Sequence, residues 1–212
     1  MKELTTLGKK YNTDKHDENH THRGLSYLDV FQLFFEQFKN KPINLLEIGV
    51  REGRSLRVWY DYFPNAKIYG LDILPKCKQY ENIGSRVKIF TGDQNNKNVL
   101  QEIVDDAGNF DIVIDDGSHI NDHMVASCNF LLPHVNKNGI YIIEDLVNSY
   151  RDVTEDVKLW PGHELNTGLN TNNKETRPNL NNMLLELIKN LDLQQTELLT
   201  VQFWSQLIIL VK

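Results

Sequence analysis

The 212-residue chain reads as one α/β domain, a mostly parallel sheet of seven strands with helices on both faces. Three observations predict this. Short apolar runs alternate with segments of helical periodicity between Asn44 and Asp145, the pattern of strand-helix-strand units in a parallel sheet. Two of those runs, Phe110 to Asp116 and Ile142 to Asp145, suit strands buried on both faces, and each ends in two adjacent carboxylates. Last, two β-rich segments near the end of the chain, parted by a very short turn, read as an antiparallel hairpin.

Taken in order, residues up to about Tyr27 are polar and rich in His, Asp, Asn and Thr. Gly8 to Lys15 has no period, so residues 1–26 are expected to be an arm or lid. Apolar side chains at Tyr27, Val30, Phe31, Phe34, Phe35 and Phe38 predict an amphipathic helix whose aromatic stripe is core. Asn44 to Val50 is the first strand, and Ser55 to Tyr62 a helix that stops before Pro64. Lys67 to Ile73 and Val87 to Thr91 are the second and third strands, followed by a helix from Lys97 to Asp106. Asp111 to Asp116 and Gly139 to Asp145 are strands four and five, with a helix from about Asn121 to Val135 between them. Residues 151–176 are polar, with Asn, Thr, Gly and Pro, and read as a long substrate-facing loop. Leu180 to Leu191 is a helix, and Thr196 to Trp204 with Gln206 to Lys212 form the hairpin.

Bulk composition narrows the class. A hydrophobic content of 40% and a charged content of 25% are ordinary for a soluble globular protein. The formal net charge of -6 argues against sequence-independent nucleic-acid binding, which uses a basic face. No basic segment followed by an apolar stretch opens the chain, and no apolar run is long enough for a bilayer, so a cytoplasmic protein is expected. Cys77 and Cys128 are too few for a disulfide framework. His16, His20 and His22 have the spacing of a metal box but lie in a polar arm without Cys partners, and zinc is not expected there.

In parallel sheets ligands bind beyond the carboxyl ends of the strands. With strands four and five as neighbours, about 4.8 Å apart, Asp116, Glu144 and Asp145 converge on one small volume. Two carboxylates about 4 Å apart repel by roughly 4 kcal/mol at an effective dielectric near 20. The cluster must therefore take a proton, a cation or a basic partner. No basic residue sits beside either motif, so a divalent metal is expected. Oxygen-only donors select Mg²⁺, Mn²⁺ or Ca²⁺.

The first strand runs into Glu47-x-Gly49-x-x-x-Gly53 and then a helix. Glycine at these places would let backbone approach a ligand, although a strand-helix turn that needs glycine is the plain alternative. The spacing is not the G-x-G-x-x-G of dinucleotide folds. Asp72 ends the second strand and suits both ribose hydroxyls of an adenosine. Asp93 and Gln94 end the third, where their side chains could reach an adenine edge. Singly, each acid is more often a turn or helix cap than a ligand; three successive strand ends of one chemistry are an improbable coincidence and point to a binding edge.

The Glu47-Ile48-Gly49 turn, Asp72 and Asp93 resemble the first motif, the ribose-binding acid and the adenine-proximal position of class I methyltransferases that use S-adenosylmethionine. The resemblance implies their Rossmann-like fold, with one antiparallel strand of the carboxy-terminal hairpin inserted near the sheet edge. It also implies cofactor contacts from Glu47, Gly49, Arg51, Gly53, Ser55, Asp72, Ile73, Asp93, Gln94 and Asp115. A narrower likeness is to the metal-dependent sugar O-methyltransferases of macrolide biosynthesis, the mycinamicin and macrocin type. It rests on Thr13-Asp14-Lys15, Leu46 to Val50, Asp61 to Ala66, Ile68 to Asp72, Asp115 to His119, Ile143 to Leu146 and Ser149-Tyr150. That likeness implies Asp116, Glu144 and Asp145 as magnesium ligands and His119 as general base, with Asp116 and His119 the catalytic pair. The reaction it implies is methyl transfer to a hydroxyl of a sugar, such as a rhamnose in a glycan or glycosylated metabolite. Tyr150 and Trp160 could stack on the sugar face, and a homo-oligomer is compatible with this reading.

Three alternatives stay open at this point. A nicotinamide-dependent oxidoreductase or epimerase is disfavoured by the glycine spacing and the acid cluster. Metal-dependent methyl transfer to a catechol-like phenol would use the same carboxylates. A non-catalytic binding module would have no use for the acid cluster.

Overall fold

The computed structural model describes residues 3–17, 24–152 and 172–212. Among these, seven strands form one sheet: β1 Asn44–Ile48, β2 Lys67–Asp72, β3 Val87–Thr91, β4 Phe110–Asp115, β5 Val135–Ile143, β6 Thr200–Trp204 and β7 Leu207–Val211. Their order is β3-β2-β1-β4-β5-β7-β6. The first five strands are parallel, β7 runs antiparallel to β5, and β6 pairs antiparallel with β7. The last strand of the chain is thus inserted one place in from the edge, as expected.

The period-two pleat sorts the apolar side chains onto two faces. Leu45, Ile112, Ile114, Ile140, Ile142 and Ile209 pack under α1 (Glu3–Tyr11), α2 (Tyr27–Phe35) and α3 (Arg54–Tyr62). Leu46, Val113, Tyr141, Ile143, Ile208 and Leu210 pack under α4 (Lys97–Ala107), α5 (Asn121–Leu131) and α6 (Asn173–Asp192). Aromatic rings fill the first face: Phe35 lies 5.7 Å from Trp59 and 5.6 Å from Phe63, centroid to centroid. Helix α2 starts where it does because Ser26 and Asp29 cap each other reciprocally, each side chain accepting the other's backbone N–H. Among the described residues no helix is long and apolar enough to cross a membrane.

Several boundaries differ from the sequence expectation. The arm is not irregular: Glu3–Tyr11 is helical, with Leu4 wholly buried and its N–H donating to Gln32 Oε1 at 3.0 Å. Only Leu4, Thr5 and Gly8 of this helix are buried, an inward face too sparse to register as a period. Strand β5 begins at Val135, opposite Phe110, because α5 stops at Leu131 and Pro133 lies in the tight turn that follows. Helix α6 begins at Asn173, so the last residues assigned to the polar loop are helical; their first turn is anchored by hydrogen bonds from Asn173. Strand β6 starts at Thr200, after a turn in which Leu198 N bonds Thr196 Oγ1. Pro75–Ile83, unread in the sequence, is a 3-10 helix. Trp160 and the bulk of the polar loop lie outside the described residues.

The packing of α1 is open to measurement. Leu4→Ala should lower the unfolding free energy in urea by about 2–5 kcal/mol, the cost of a cavity in a closed core; an irregular arm would give a change near zero.

Candidate active site

Register brings the acids together. Ile48 pairs with Asp115 across β1 and β4, and Asp115 with Ile143 across β4 and β5. Beyond the strand ends, Asp116 N bonds Ile48 O at 3.0 Å and Glu144 N bonds Asp115 O at 3.0 Å. Asp116 and Glu144 therefore leave adjacent strands at one level, with Asp145 next to them. Gly49, at φ +94°, sits where the backbone carbonyl of Asp116 passes, and a Cβ would overlap it. The close approach that glycine permits here comes from the neighbouring strand's exit.

His119 and Asp145 both hold left-handed backbone, each at φ 55°. Such conformations cost a non-glycine residue of order 1–3 kcal/mol and persist only where the surroundings fix them. Asn173 Nδ2 donates to the His119 carbonyl at 3.1 Å, and Tyr27 OH donates to Asp145 Oδ1 at 2.7 Å.

The cluster has a basic partner that its local sequence does not reveal. Lys15 lies 101 residues before Asp116 and 129 before Glu144, yet its Nζ donates to Asp116 Oδ2 and to Glu144 Oε2 (2.7 Å). Glu47 Oε1 is 3.6 Å from the same Nζ. Burial works to lower the Lys15 pKa; the charges of Asp116, Glu144 and Glu47 outweigh it and hold the ammonium well above its ordinary range. Burial raises the Glu47 carboxyl to about 7, against the pull of Lys15 and hydrogen bonds from Ser55 (2.7 Å) and Trp59 (3.0 Å). Burial, then the Asp116 charge, pushes Glu144 well up; burial also raises Asp116. The Lys15 ammonium thus faces Glu47, Asp116 and Glu144 at once, while burial works against the ionisation of all three.

The residues fit a hard divalent cation. Asp116, His119 and Asp145 offer ligand atoms that all lie within 4.8 Å of one another. Glu144 Oε1 is buried without a hydrogen-bond partner. A void of about 20 Å³, bordered by Lys15, Tyr27, Asp116, Glu144 and Asp145, has room for one water-sized species. The geometry thus places Asp116, Glu144 and Asp145 around one void and sets His119, expected as the general base, beside Asp116 and Asp145.

A cavity of about 880 Å³ opens beside this cluster, with Asp116, His119 and Asp145 in its wall. Gly49, Arg51, Ser55, Asp72, Ile73 and Gln94 line it, and arm residues Asn12 to Asp17 contribute to its wall. The size suits a nucleoside-type ligand. The Asp72 carboxylate is aimed by two backbone donors, Arg51 N at 2.7 Å and Leu74 N at 2.8 Å.

Four of the expected cofactor residues do not line this cavity. Glu47 is fully buried and held by Ser55 and Trp59. Gly53 heads α3 at φ 63°, where a Cβ would come within 2.8 Å of the Tyr80 ring. Asp93 Oδ1 accepts from Asn95 N at 2.8 Å, closing its own turn. Asp115 points into the core, where Gln94 (3.0 Å), Ser127 (2.5 Å) and Tyr141 (3.2 Å) bond it. Tyr150 is exposed and off the cavity wall, with the Arg177 guanidinium 4.2 Å above its ring. Sequence reasoning gave no role to Lys15, Tyr27 or Asn173. The only local signal was the Thr13-Asp14-Lys15 motif; Tyr27 was read as core, and its ring is indeed buried.

A parallel sheet with an inserted antiparallel last strand, and an acid-lined cavity at its carboxyl edge, define a methyltransferase fold of class I. The chain matches no protein-family model. It is 38% identical over 167 residues to the mycinamicin VI 2''-O-methyltransferase of Micromonospora griseorubida, covering 76% of this chain and 38% of that protein. It is 37% identical over 132 residues to the 8-demethyl-8-alpha-L-rhamnosyl tetracenomycin-C 2'-O-methyltransferase of Streptomyces olivaceus, 59% of this chain and 34% of that one. The MycE methyltransferase of the mycinamycin pathway, solved with Mg and SAH, superposes with a TM-score of 0.77 at 28% identity, over 100% of this chain and 54% of that chain. The chain is a homologue of the macrolide and tetracenomycin sugar O-methyltransferases, and it spans less than half the length of these curated relatives.

The raised Glu47 carboxyl predicts a pH effect. A folded-state value of about 7 exceeds the unfolded value of 4.5, so ionised Glu47 is disfavoured in the fold, and the metal-free protein loses stability as pH rises between them. Relative to wild type, Glu47→Gln should therefore gain in urea midpoint between pH 5 and pH 8; a constant difference would contradict the assignment.

Proposed function

We propose that this chain is an S-adenosylmethionine- and Mg²⁺-dependent O-methyltransferase acting on a sugar hydroxyl, of the deoxysugar class, in a glycan or glycosylated metabolite. One observation carries the reading: the acid cluster and His119 open into the same cavity that Asp72 and the Gly49 turn line. The relatives named for methylating mycinamicin VI and a rhamnosyl tetracenomycin support it, as does the MycE complex with Mg, SAH and mycinamycin VI (30% identity, TM-score 0.73, 99% of this chain and 54% of that one).

S-adenosylmethionine supplies, when bound, a methyl group already activated on a sulfonium. A divalent cation supplies, when bound, the Lewis acidity that makes an alcohol easier to deprotonate. Asp116 and Asp145, with the unpartnered Oε1 of Glu144, are the oxygens that would hold it, since hard cations favour oxygen over imidazole. His119 is then left for the proton. Its Nε2 lies 3.9 Å from Asp116 Oδ1 and 3.8 Å from Asp145 Oδ2, and it accepts the proton of the acceptor hydroxyl there. Asp72, fixed by its two backbone donors, binds the ribose hydroxyls, while Asn12 to Asp17 cover the cavity and exclude water. On this reading the acceptor is a glycoside rather than a nucleic acid, and the work is done in the cytoplasm, where the donor is made.

The test is transfer of labelled methyl from S-adenosylmethionine to a panel of rhamnosides and related glycosides. Transfer should be lost in EDTA and restored by Mg²⁺; transfer indifferent to EDTA would contradict the reading. Asp145→Asn should lower kcat about a hundredfold or more while the Kd for S-adenosylhomocysteine stays within about twofold. Asp72→Asn should do the reverse, raising that Kd about tenfold through loss of charged hydrogen bonds.

A further inference from the structure

Three observations meet at Lys15. Its Nζ is buried among Asp116, Glu144 and Glu47, although it arrives from the arm. The residues on either side of it, Thr13, Asp14, His16 and Asp17, line the large cavity. Lys15 also divides the acids' oxygens, taking Asp116 Oδ2 and Glu144 Oε2. That leaves Asp116 Oδ1 toward His119 at 3.9 Å and Glu144 Oε1 without a partner.

Other charged ties of the arm among the described residues lie nearer the surface: Lys10 pairs with Asp61 at 2.8 Å, Arg51 with Asp14 at 3.4 Å, and Glu3 with Lys39, each with both side chains partly or mostly open to solvent and screening. A buried lysine that meets two carboxylates directly is a different kind of contact, because its removal leaves charge uncompensated in the interior.

We propose that Lys15 is a positioning residue that latches the arm onto the acid cluster, so that one contact both closes the cofactor cavity and turns the second oxygen of Asp116 toward His119. The cofactor part of this inference rests on the methyltransferase reading; the latch itself does not. Retention of the nucleoside ligand then depends on an acid that also serves the cation site, even when no cation is bound. A lysine with a purely structural role would act independently of Glu144.

The experiment uses the full chain in EDTA, with S-adenosylhomocysteine as calorimetric probe and hydrogen exchange of the amides of residues 12–17 as a second readout. Lys15→Met should raise the Kd about tenfold or more and speed exchange at 12–17, with β1 and β4 amides unchanged. Lys15→Met/Glu144→Gln, which removes a cation and a carboxylate together, should lose no more affinity than Lys15→Met alone. Wild-type affinity and unchanged arm exchange in Lys15→Met would overturn the proposal, as would losses from Lys15→Met and Glu144→Gln that simply add. Should Lys15→Met fail to fold, the charge-balanced double variant carries the test, and its arm must exchange faster than wild type. Should wild type itself not bind S-adenosylhomocysteine, the methyltransferase reading fails while the exchange measurement still decides the latch.

Discussion

Strands β1, β4 and β5 are parallel and end in register, and that alignment forces like charges together. Glu47, Asp116, Glu144 and Asp145 cannot spread apart without breaking the pairing of Ile48 with Asp115 and of Asp115 with Ile143. The repulsion is a property of the sheet, and the rest of the site answers it. Lys15 supplies one positive charge from the arm, Tyr27 supplies a hydroxyl from α2, and Asn173 fixes the His119 carbonyl from α6. Three elements that bury apolar surface elsewhere thus each send one polar group to the same edge.

These answers explain local features that would otherwise be oddities. Left-handed backbone at His119 and Asp145 is tolerated because hydrogen bonds hold both residues. Gly49 is required by the carbonyl of Asp116, which passes close to it just beyond the paired ends of β1 and β4. A fully buried glutamate at position 47 is sustained by Ser55 and Trp59 from the helix that follows the glycine turn. Charge, strain and glycine usage in this region have one cause, the crowding of strand ends.

The sheet was legible in the sequence because its strands are short apolar runs bounded by turns, and β3 ran as read, from Val87 to Thr91. The convergence of Asp116, Glu144 and Asp145 was legible for a similar reason: once β4 and β5 are neighbours, the positions of the acids follow. What stayed hidden was long-range or sparse. Lys15 joins the cluster across more than a hundred residues, so no local pattern could reveal it. Helix α1 shows the core only Leu4, Thr5 and Gly8, and the first turn of α6 depends on Asn173 reaching His119 and Asn148. Glu47 and Asp115 were read toward the ligand by their motifs, yet each faces inward to neighbours that the sequence does not place beside it.

The proposed chemistry requires these strand ends to hold a divalent ion beside the large cavity. Anomalous diffraction from a crystal grown with Mn²⁺ and S-adenosylhomocysteine addresses it most directly. The expected result is a manganese peak in contact with carboxylate oxygens of Asp116 and Asp145. No peak there, with the ammonium of Lys15 as the sole cation among the acids, would contradict it.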